Sequence, residues 1–444
     1  MIKVITYGTY DLLHRGHIRL LERAKALGDY LIVGVTADGF DRARGKINVQ
    51  QSLMERIEAV KATGLADEIV VEEYEGQKIY DIRRLGVDIF TVGSDWKGHF
   101  DYLNEYCKVV YLERTQGISS SDLRSEERKI KLGLVGESNI INKFYRESKY
   151  VNGLTLSGIY AENDTMLSEE VKSLPIMTNN LEDLIRQSDA LYIVSPPQSH
   201  FEQIQLALSK GVHVLCESPI TIDVEQWYKL VDLAQKHNCI LIDSIKTAYS
   251  MAYSRMLLLV KTGIIGKVIS IDAVCTSMRD YAAETKISGW NSICAWGPTA
   301  LLPIFQILGT EYVKKDIISH QMDSDSSYDL FTKVAFVFKD SMASLKVGQG
   351  VKSEGELIIS GTKGYIYVPA PWWKTDYFEV RFENPAENKR YFYQLEGEGI
   401  RYELLTFINS IKDKKNYSYI NDKSTYAIIS LIQDYYNKKD LIQI

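Results

Sequence analysis

Twice in this chain a short apolar strand runs into a glycine-bearing turn and then a helix. Residues 2–7 (IKVITY) read as a buried strand. Residues 17–28 carry apolar groups at Ile18, Leu20, Leu21, Ala24 and Leu27, a helical spacing, with Gly28 as the stop. Strands are expected at 30–36, 68–72, 88–92 and 107–112, with helices at 52–63 and 77–85. A charged joint at 124–130 (RSEERKI) follows, and the pattern restarts at Lys131-Leu132-Gly133-Leu134-Val135-Gly136. Further strands fall near 154–160, 190–194, 212–216 and 239–242. Alternation of this kind specifies a parallel, doubly wound sheet, so two such sheets are expected in series.

After Lys246 the texture changes. Residues 268–276, 331–338, 342–348, 355–360, 364–368 and 377–383 read as strands at hairpin spacing. They predict an antiparallel sheet, covered by helices near 250–262, 298–308 and 400–412. The expected class is therefore α/β, ending in an α+β antiparallel-sheet domain. The expected boundaries are 1–127, 130–248 and 249–444. A chain of 444 residues holds such domains at roughly 100–200 residues each.

Bulk properties exclude several roles. The formal net charge of −6 argues against nucleic acid as a partner, because a phosphate backbone needs concentrated basic surface. The five cysteines are widely spaced and form no CxxC pair, so neither a zinc site nor a disulfide framework is expected. A reducing cytoplasm fits that usage. The N-terminus lacks the layout of a signal peptide, and no run of about 18 apolar residues predicts membrane insertion.

The first turn carries chemistry. In Thr6-Tyr7-Gly8-Thr9-Tyr10-Asp11-Leu12-Leu13-His14-Arg15-Gly16-His17 a strand ends, and a helix begins near His17. A helix start offers unpaired N–H groups and partial positive charge, which suits phosphate. His14 and His17 can point at one anion, and Gly16 lets the backbone come close. A metal pair or two surface histidines is the alternative. Position at the first strand–helix turn of a doubly wound sheet favours nucleotide chemistry.

Two motifs in register then resemble a known family. His14-Arg15-Gly16-His17 is similar to the HxGH signature of the cytidylyltransferase branch of the nucleotidyltransferases. Arg114-Thr115-Gln116-Gly117-Ile118-Ser119-Ser120-Ser121 resembles that family's second loop. The likeness spans residues 1–124, and within the superfamily it is strongest to the bacterial glycerol-3-phosphate enzymes. It implies CTP and an alcohol phosphate as substrates, with Mg²⁺ carried by CTP and no metal ligand assigned to a protein side chain. It implies that His14 and His17 donate to the α-phosphate and that Arg114 holds the outer phosphates. Tyr7, Gly8, Thr9, Tyr10, Gly16, Thr115, Ile118, Ser119 and Ser120 would line the nucleotide. Asp95 and Trp96 would lie near the nucleoside, and Arg44 and Lys46 near the acceptor phosphate. Gly64 stands where the family often has an arginine.

The remainder resembles the glucose–fructose oxidoreductase and inositol dehydrogenase family. Asp189–His200 and Gly211–Pro219 carry that likeness, as does the turn Thr262–Val268. It implies a Rossmann-like domain that takes NAD(P), with Gly136, Glu162, Ser195, Pro196, His200 and Glu217 around it. The chemistry departs from the family: Ser218 replaces its lysine, Ala295 its aspartate and Thr299 its histidine. Ser138 and Ile141 break the glycine fingerprint. Three readings follow. The region is a non-catalytic scaffold, a nucleotide-binding regulator, or an active oxidoreductase whose acid has moved to Lys246 or Tyr249. A homodimer or larger homo-oligomer is expected. The product would serve cell-surface polymers such as teichoic acid or capsule.

Overall fold

The computed structural model describes residues 1–43, 49, 51–74, 76–113, 129–278, 290–321, 328–393, 395 and 397–444. It divides into two compact units, Met1–Lys129 with Val151–Gly153, and Ile130–Tyr150 with Leu154–Ile444.

Unit 1 is a parallel sheet of β1 (Lys3–Gly8), β2 (Tyr30–Thr36), β3 (Glu68–Glu72), β4 (Ile89–Gly93) and β5 (Lys108–Leu112). The order is β3-β2-β1-β4-β5. Helices α1 (Arg15–Lys25), α2 (Asp38–Ala43), α3 (Leu53–Ala62) and α4 (Gln77–Leu85) connect the strands. Alternate residues of β1 enter opposite cores, as strand geometry requires. Ile5 and Tyr7 pack with Ile32, Ile82 and Phe90, while Val4 packs with Leu21, Leu31, Val33 and Val60. Helix α3 starts at a reciprocal Ser52–Glu55 capping box. A side chain at Gly34 would collide with the Tyr7 ring, so that glycine lets Tyr7 lie across the sheet and reach Asp81 at 2.9 Å.

Unit 2 opens with a second parallel sheet: β6 (Ile130–Val135), β7 (Leu154–Tyr160), β8 (Met177–Thr178), β9 (Ala190–Ile193), β10 (His213–Glu217) and β11 (Leu241–Ser244). Read from β8, its order is that of the dinucleotide-binding sheet, 3-2-1-4-5-6. Helices α5 (Asn139–Ser148), α6 (Glu169–Lys172), α7 (Leu181–Arg186), α8 (Pro197–Ser209) and α9 (Val224–Lys236) connect its strands. Helix α10 (Met251–Lys261) then leads to a larger sheet made of β12 (Val268–Thr276), β13 (Lys314–Gln321), β14 (Asp329–Val337), β15 (Met342–Gly348), β16 (Leu357–Gly361), β17 (Tyr365–Val368), β18 (Tyr377–Arg381), β19 (Lys389–Phe392) and β20 (Leu441–Gln443). Helices α11 (Ser292–Leu308), α12 (Ile400–Asp413) and α13 (Asp422–Tyr436) complete the unit.

The antiparallel expectation for this sheet needs correction, because it is mixed. Strands β12 and β15 pair parallel, as do β13 and β20. The chain leaves β12 through α11 and returns through the β13–β14–β15 meander, so β15 reaches β12 running the same way. Hairpin spacing in sequence could not reveal that crossover. Strands β13, β19 and β20 and helix α13 also lie outside the ranges expected from sequence.

Candidate active site

In unit 1, β1 and β4 are neighbours on either side of the point where the strand order reverses, and ligands bind such sheets at the strand C-termini there. The turn after β1 is built tightly. Tyr10 and Leu12 both take left-handed φ, 54° and 48°. Tyr10 is buried, and its ring meets His17 edge-on at 5.5 Å. His14 is the N-cap of α1, and its Nδ1 accepts the Gly16 N–H at 3.0 Å. A nitrogen that accepts carries no proton, so neutral His14 holds its proton on Nε2. The His14 and His17 rings stack at 3.9 Å and 25°. Both imidazoles therefore stand together at the start of an 11-residue helix.

The support beneath this turn was not legible in the sequence. Arg56, on α3, has no solvent exposure. It donates to the carbonyls of Thr9 (2.7 Å), Thr36 (2.8 Å) and Gln51 (3.1 Å), and it pairs with Asp38. Asp11 accepts the Gln51 N–H at 3.0 Å, and the Gln51 side chain accepts the Leu12 N–H at 2.8 Å. The only advance signal was an arginine amid the apolar positions of a predicted helix. Near the ends of β1, β2 and β3, Tyr7 bonds Asp81, Glu72 accepts the Thr36 hydroxyl at 3.0 Å, and Lys78 pairs with Glu72. Gly8 abuts the Tyr10 ring: a Cβ there would sit 3.0 Å from it.

After β4, Asp95 and Trp96 form a single 3-10 turn, and both are exposed. Trp96 meets His99 at 5.4 Å and Phe100 at 5.8 Å. Gly64, the position where the family often has arginine, adopts φ 65°. Arg44, Lys46, Arg114, Thr115, Ile118, Ser119 and Ser120 lie outside the described residues.

In unit 2 the sequence-named positions gather at the C-terminal edge of the parallel sheet. Gly136 follows β6 with φ 134°, and a Cβ there would meet the Val194 backbone at 3.0 Å. The Glu137 carboxylate accepts the N–H groups of Glu162 and Asn163, both at 2.8 Å. The Glu162 carboxylate accepts the Tyr160 hydroxyl at 3.0 Å. Ser195 donates to Gln203, and Pro196 caps α8. His200 is fully buried, its ring nitrogens 2.9 Å from the Pro219 carbonyl and 2.8 Å from that of Ser195. It ties the turn after β9 to the turn after β10. Burial lowers its pKa to about 4 against the pull of those carbonyls.

These residues do not fit NAD(P) held in the usual way. A dinucleotide needs the close backbone approach that a second glycine allows, and here Ser138 is the N-cap. The backbone N–H groups after β7 are already taken by the Glu137 carboxylate, a negative charge beside the diphosphate position. Ile141 is wholly buried where the fingerprint has glycine or alanine.

A carboxyl cluster sits at the same edge. The Tyr192 hydroxyl donates to Glu217 at 2.6 Å, and Ser244 donates to Glu403 at 2.8 Å. Burial pushes the Asp243 carboxyl up to about 7 against the pull of the Ser218 and Thr425 hydroxyls. Burial, then the charge of Glu217, drives Glu403 well up. Burial also raises Glu217, opposed by its Tyr192 hydrogen bond and the Lys246 charge. Tyr249 is buried, bonded to Ser418 at 3.1 Å and stacked on Tyr419. Lys246 instead pairs with Glu398 at 3.4 Å. Ala295 and Thr299 lie within α11. Among the described residues, no group of three or more His, Cys, Asp or Glu could hold a metal ion, and no helix is long and apolar enough to cross a membrane.

Comparison with known proteins covers both units. Residues 5–126 match the cytidylyltransferase-like family model, and residues 130–243 match the model of the oxidoreductase family with an NAD-binding Rossmann fold. The glycerol-3-phosphate cytidylyltransferase of Bacillus spizizenii is 48% identical over 126 residues, 28% of this chain and 97% of that protein. The Staphylococcus aureus enzyme of the same name is 44% identical over 130 residues, 28% of this chain and 95% of its own length. Among solved structures, a 3-ketoreductase from Actinomadura kijaniata aligns with TM-score 0.62 at 15% identity, over 71% of this chain and all but 1% of its own. A UDP-N-acetylglucosamine 3-dehydrogenase from Acidithiobacillus ferrooxidans aligns with TM-score 0.56 at 16% identity, over 70% of this chain and 98% of its own. At such identities the likeness shows the fold alone. Through its N-terminal unit the chain belongs to the glycerol-3-phosphate cytidylyltransferase family and is a nucleotidyltransferase.

Proposed function

We propose, from that membership, that unit 1 joins CTP to glycerol 3-phosphate, giving CDP-glycerol and pyrophosphate. The observation that carries the reading is the stacked His14–His17 pair at the start of α1. An oxygen of the acceptor phosphate attacks the α-phosphorus of CTP, the bond to the β-phosphate oxygen breaks, and pyrophosphate leaves with its electrons. The protein's part is positioning and charge stabilisation. His14 Nε2 and His17 would donate to the α-phosphate oxygens as charge builds, with the positive end of α1 adding to them. Trp96, exposed after β4, would meet the base, with Asp95 beside it. Arg114 would hold the outer phosphates, Thr115, Ile118, Ser119 and Ser120 would line the nucleotide, and Arg44 and Lys46 would hold the acceptor. Mg²⁺ would enter with CTP as its counter-ion.

In this reading residues 1–127 are the transferase, and 130–248 with 249–444 are an oxidoreductase frame without conventional NAD(P) chemistry. The chain would act in the cytoplasm as a homo-oligomer, and its product would feed a cell-surface polymer. A bifunctional enzyme is the second reading, favoured by the charge coupling of Lys246 to Glu217 and Glu403. The deciding experiment is a panel of alcohol phosphates with CTP or ATP, scored by pyrophosphate release. Fastest turnover with CTP and glycerol 3-phosphate is expected. A preference for ATP, or for another alcohol phosphate, rejects the assignment.

A further inference from the structure

Three ammonium groups from distant parts of unit 2 converge on one carboxylate. Glu398 lies 3.3 Å from Lys143 of α5, 3.4 Å from Lys246 after β11, and bonds Lys374 from the segment between β17 and β18. The side chains are 36%, 21% and 31% exposed for the lysines and 27% for Glu398, so the cluster opens to solvent. Glu398 is held in place by its neighbours. Gly397 and Gly399 both take left-handed φ, 63° and 80°. A side chain at Gly397 would strike the Glu147 carboxylate, which Arg401 grips with two 2.9 Å hydrogen bonds. Partial burial disfavours the charge on Glu398, but the Lys374 hydrogen bond and the charges of Lys246, Lys374 and Lys143 outweigh it and hold its carboxyl at about 2.

One carboxylate cannot neutralise three ammonium groups. Among the described residues the net charge of the cluster is +2, from three lysines less one glutamate. Burial raises the carboxyls of Glu217 and Glu403, which also feel the Lys246 charge, and so disfavours negative charge there. Lys246 follows β11 at the C-terminal edge of the parallel sheet, where doubly wound folds take their ligands.

We propose that Lys143, Lys246 and Lys374 form a binding site for a phosphomonoester, with Glu398 as a resident counter-charge that the ligand displaces. A phosphomonoester carries a charge of about −1.5 to −2 at neutral pH, which matches the excess, and lysine binds phosphate as a point charge. The acceptor of unit 1 carries the same group. That link rests on the transferase reading; the site itself does not.

The test uses the full chain without CTP, glycerol 3-phosphate as the probe and glycerol as the uncharged control. Calorimetry compares the unmodified chain with the K143Q/K374Q and Glu398→Gln variants. The lysine variant should lose one equivalent of glycerol 3-phosphate binding. Glu398→Gln should fill that equivalent at about tenfold lower concentration, because a like charge is gone. An unchanged stoichiometry in the lysine variant overturns the proposal. If that variant does not fold, amine acylation of the unmodified chain, read residue by residue by mass spectrometry, decides. Glycerol 3-phosphate should slow acylation of Lys143 and Lys374 and glycerol should not; equal rates with and without the phosphate overturn the proposal. Pyrophosphate release by unit 1 is scored separately, so either reading can fail alone.

Discussion

The guanidinium of Arg56 donates a 2.7 Å hydrogen bond to the carbonyl of Thr9 from a side chain with no solvent exposure. The same group reaches Thr36 and Gln51, so one buried cation fixes the turn after β1 to the end of β2 and the segment entering α3. Substitution to alanine would leave a cavity and take a charged donor from three backbone carbonyls, while Asp38, 46% exposed, would turn to water. We predict that Arg56→Ala destabilises unit 1 by roughly 2–5 kcal/mol, from the cavity and the carbonyls that lose their donor. Denaturant unfolding should show this in the transition of unit 1, while unit 2 unfolds as before. An unshifted midpoint would refute the role.

His17→Ala should lose at least ~10²–10³-fold in turnover, the range for removing one oxyanion donor. His17 packs edge-on against the buried Tyr10 ring but is itself only half-buried, so far-UV circular dichroism should be unchanged. CTP-dependent pyrophosphate release is the readout, and near-normal turnover contradicts the assignment.

Trp96 is more than one-third exposed and rests edge-on against His99 and tilted against Phe100. If the base stacks on it, Trp96→Ala should raise KM for CTP more than it lowers kcat. A stacking contribution of about 1–3 kcal/mol corresponds to roughly 5–150-fold. A fall in kcat at constant KM would place the indole elsewhere.

NADH should give no saturable fluorescence enhancement with this chain, because Glu137 holds the N–H groups after β7 and Ser138 blocks close approach. The paired change Glu137→Ser and Ser138→Gly should improve binding. Tight binding by the unmodified chain would show that the family's cofactor is accommodated in another way.

Unit 2 should lose stability as the pH rises. The folded pKa of Asp243 is raised to about 7 from an ordinary 3.8 by burial, and Glu217 and Glu403 are raised as well. A raised carboxyl holds its proton more tightly when folded. Its contribution is therefore complete below about pH 4 and is lost as the pH climbs through about 7. For Asp243 alone the span is of the order of 4 kcal/mol. Asp243→Asn should flatten the dependence of the unit 2 unfolding midpoint between pH 5 and pH 8. An equally steep dependence in that variant would assign the titration elsewhere.

Local order was legible along the chain. Strands β2, β3 and β7 and helix α4 fall on the expected residues, because each is set by apolar periodicity and a stop within its own segment. The His14–His17 turn was legible for the same reason: its residues are neighbours in sequence, and a helix start is a local structure. What the sequence could not determine are relations between residues far apart along the chain. Arg56 and Thr9 stand 47 residues apart, and Ser244 and Glu403 stand 159 apart. The lysines around Glu398 come from α5, the end of β11 and the segment after β17. No periodicity encodes such meetings, since each depends on which elements pack together. Burial follows the same rule: Arg56 and Glu403 carry charged side chains that favour water, yet packing encloses both completely. The sequence alone determined that a turn bearing two histidines opens the first helix. Tertiary structure decided what holds that turn in place, and which charges gather in the other half of the chain.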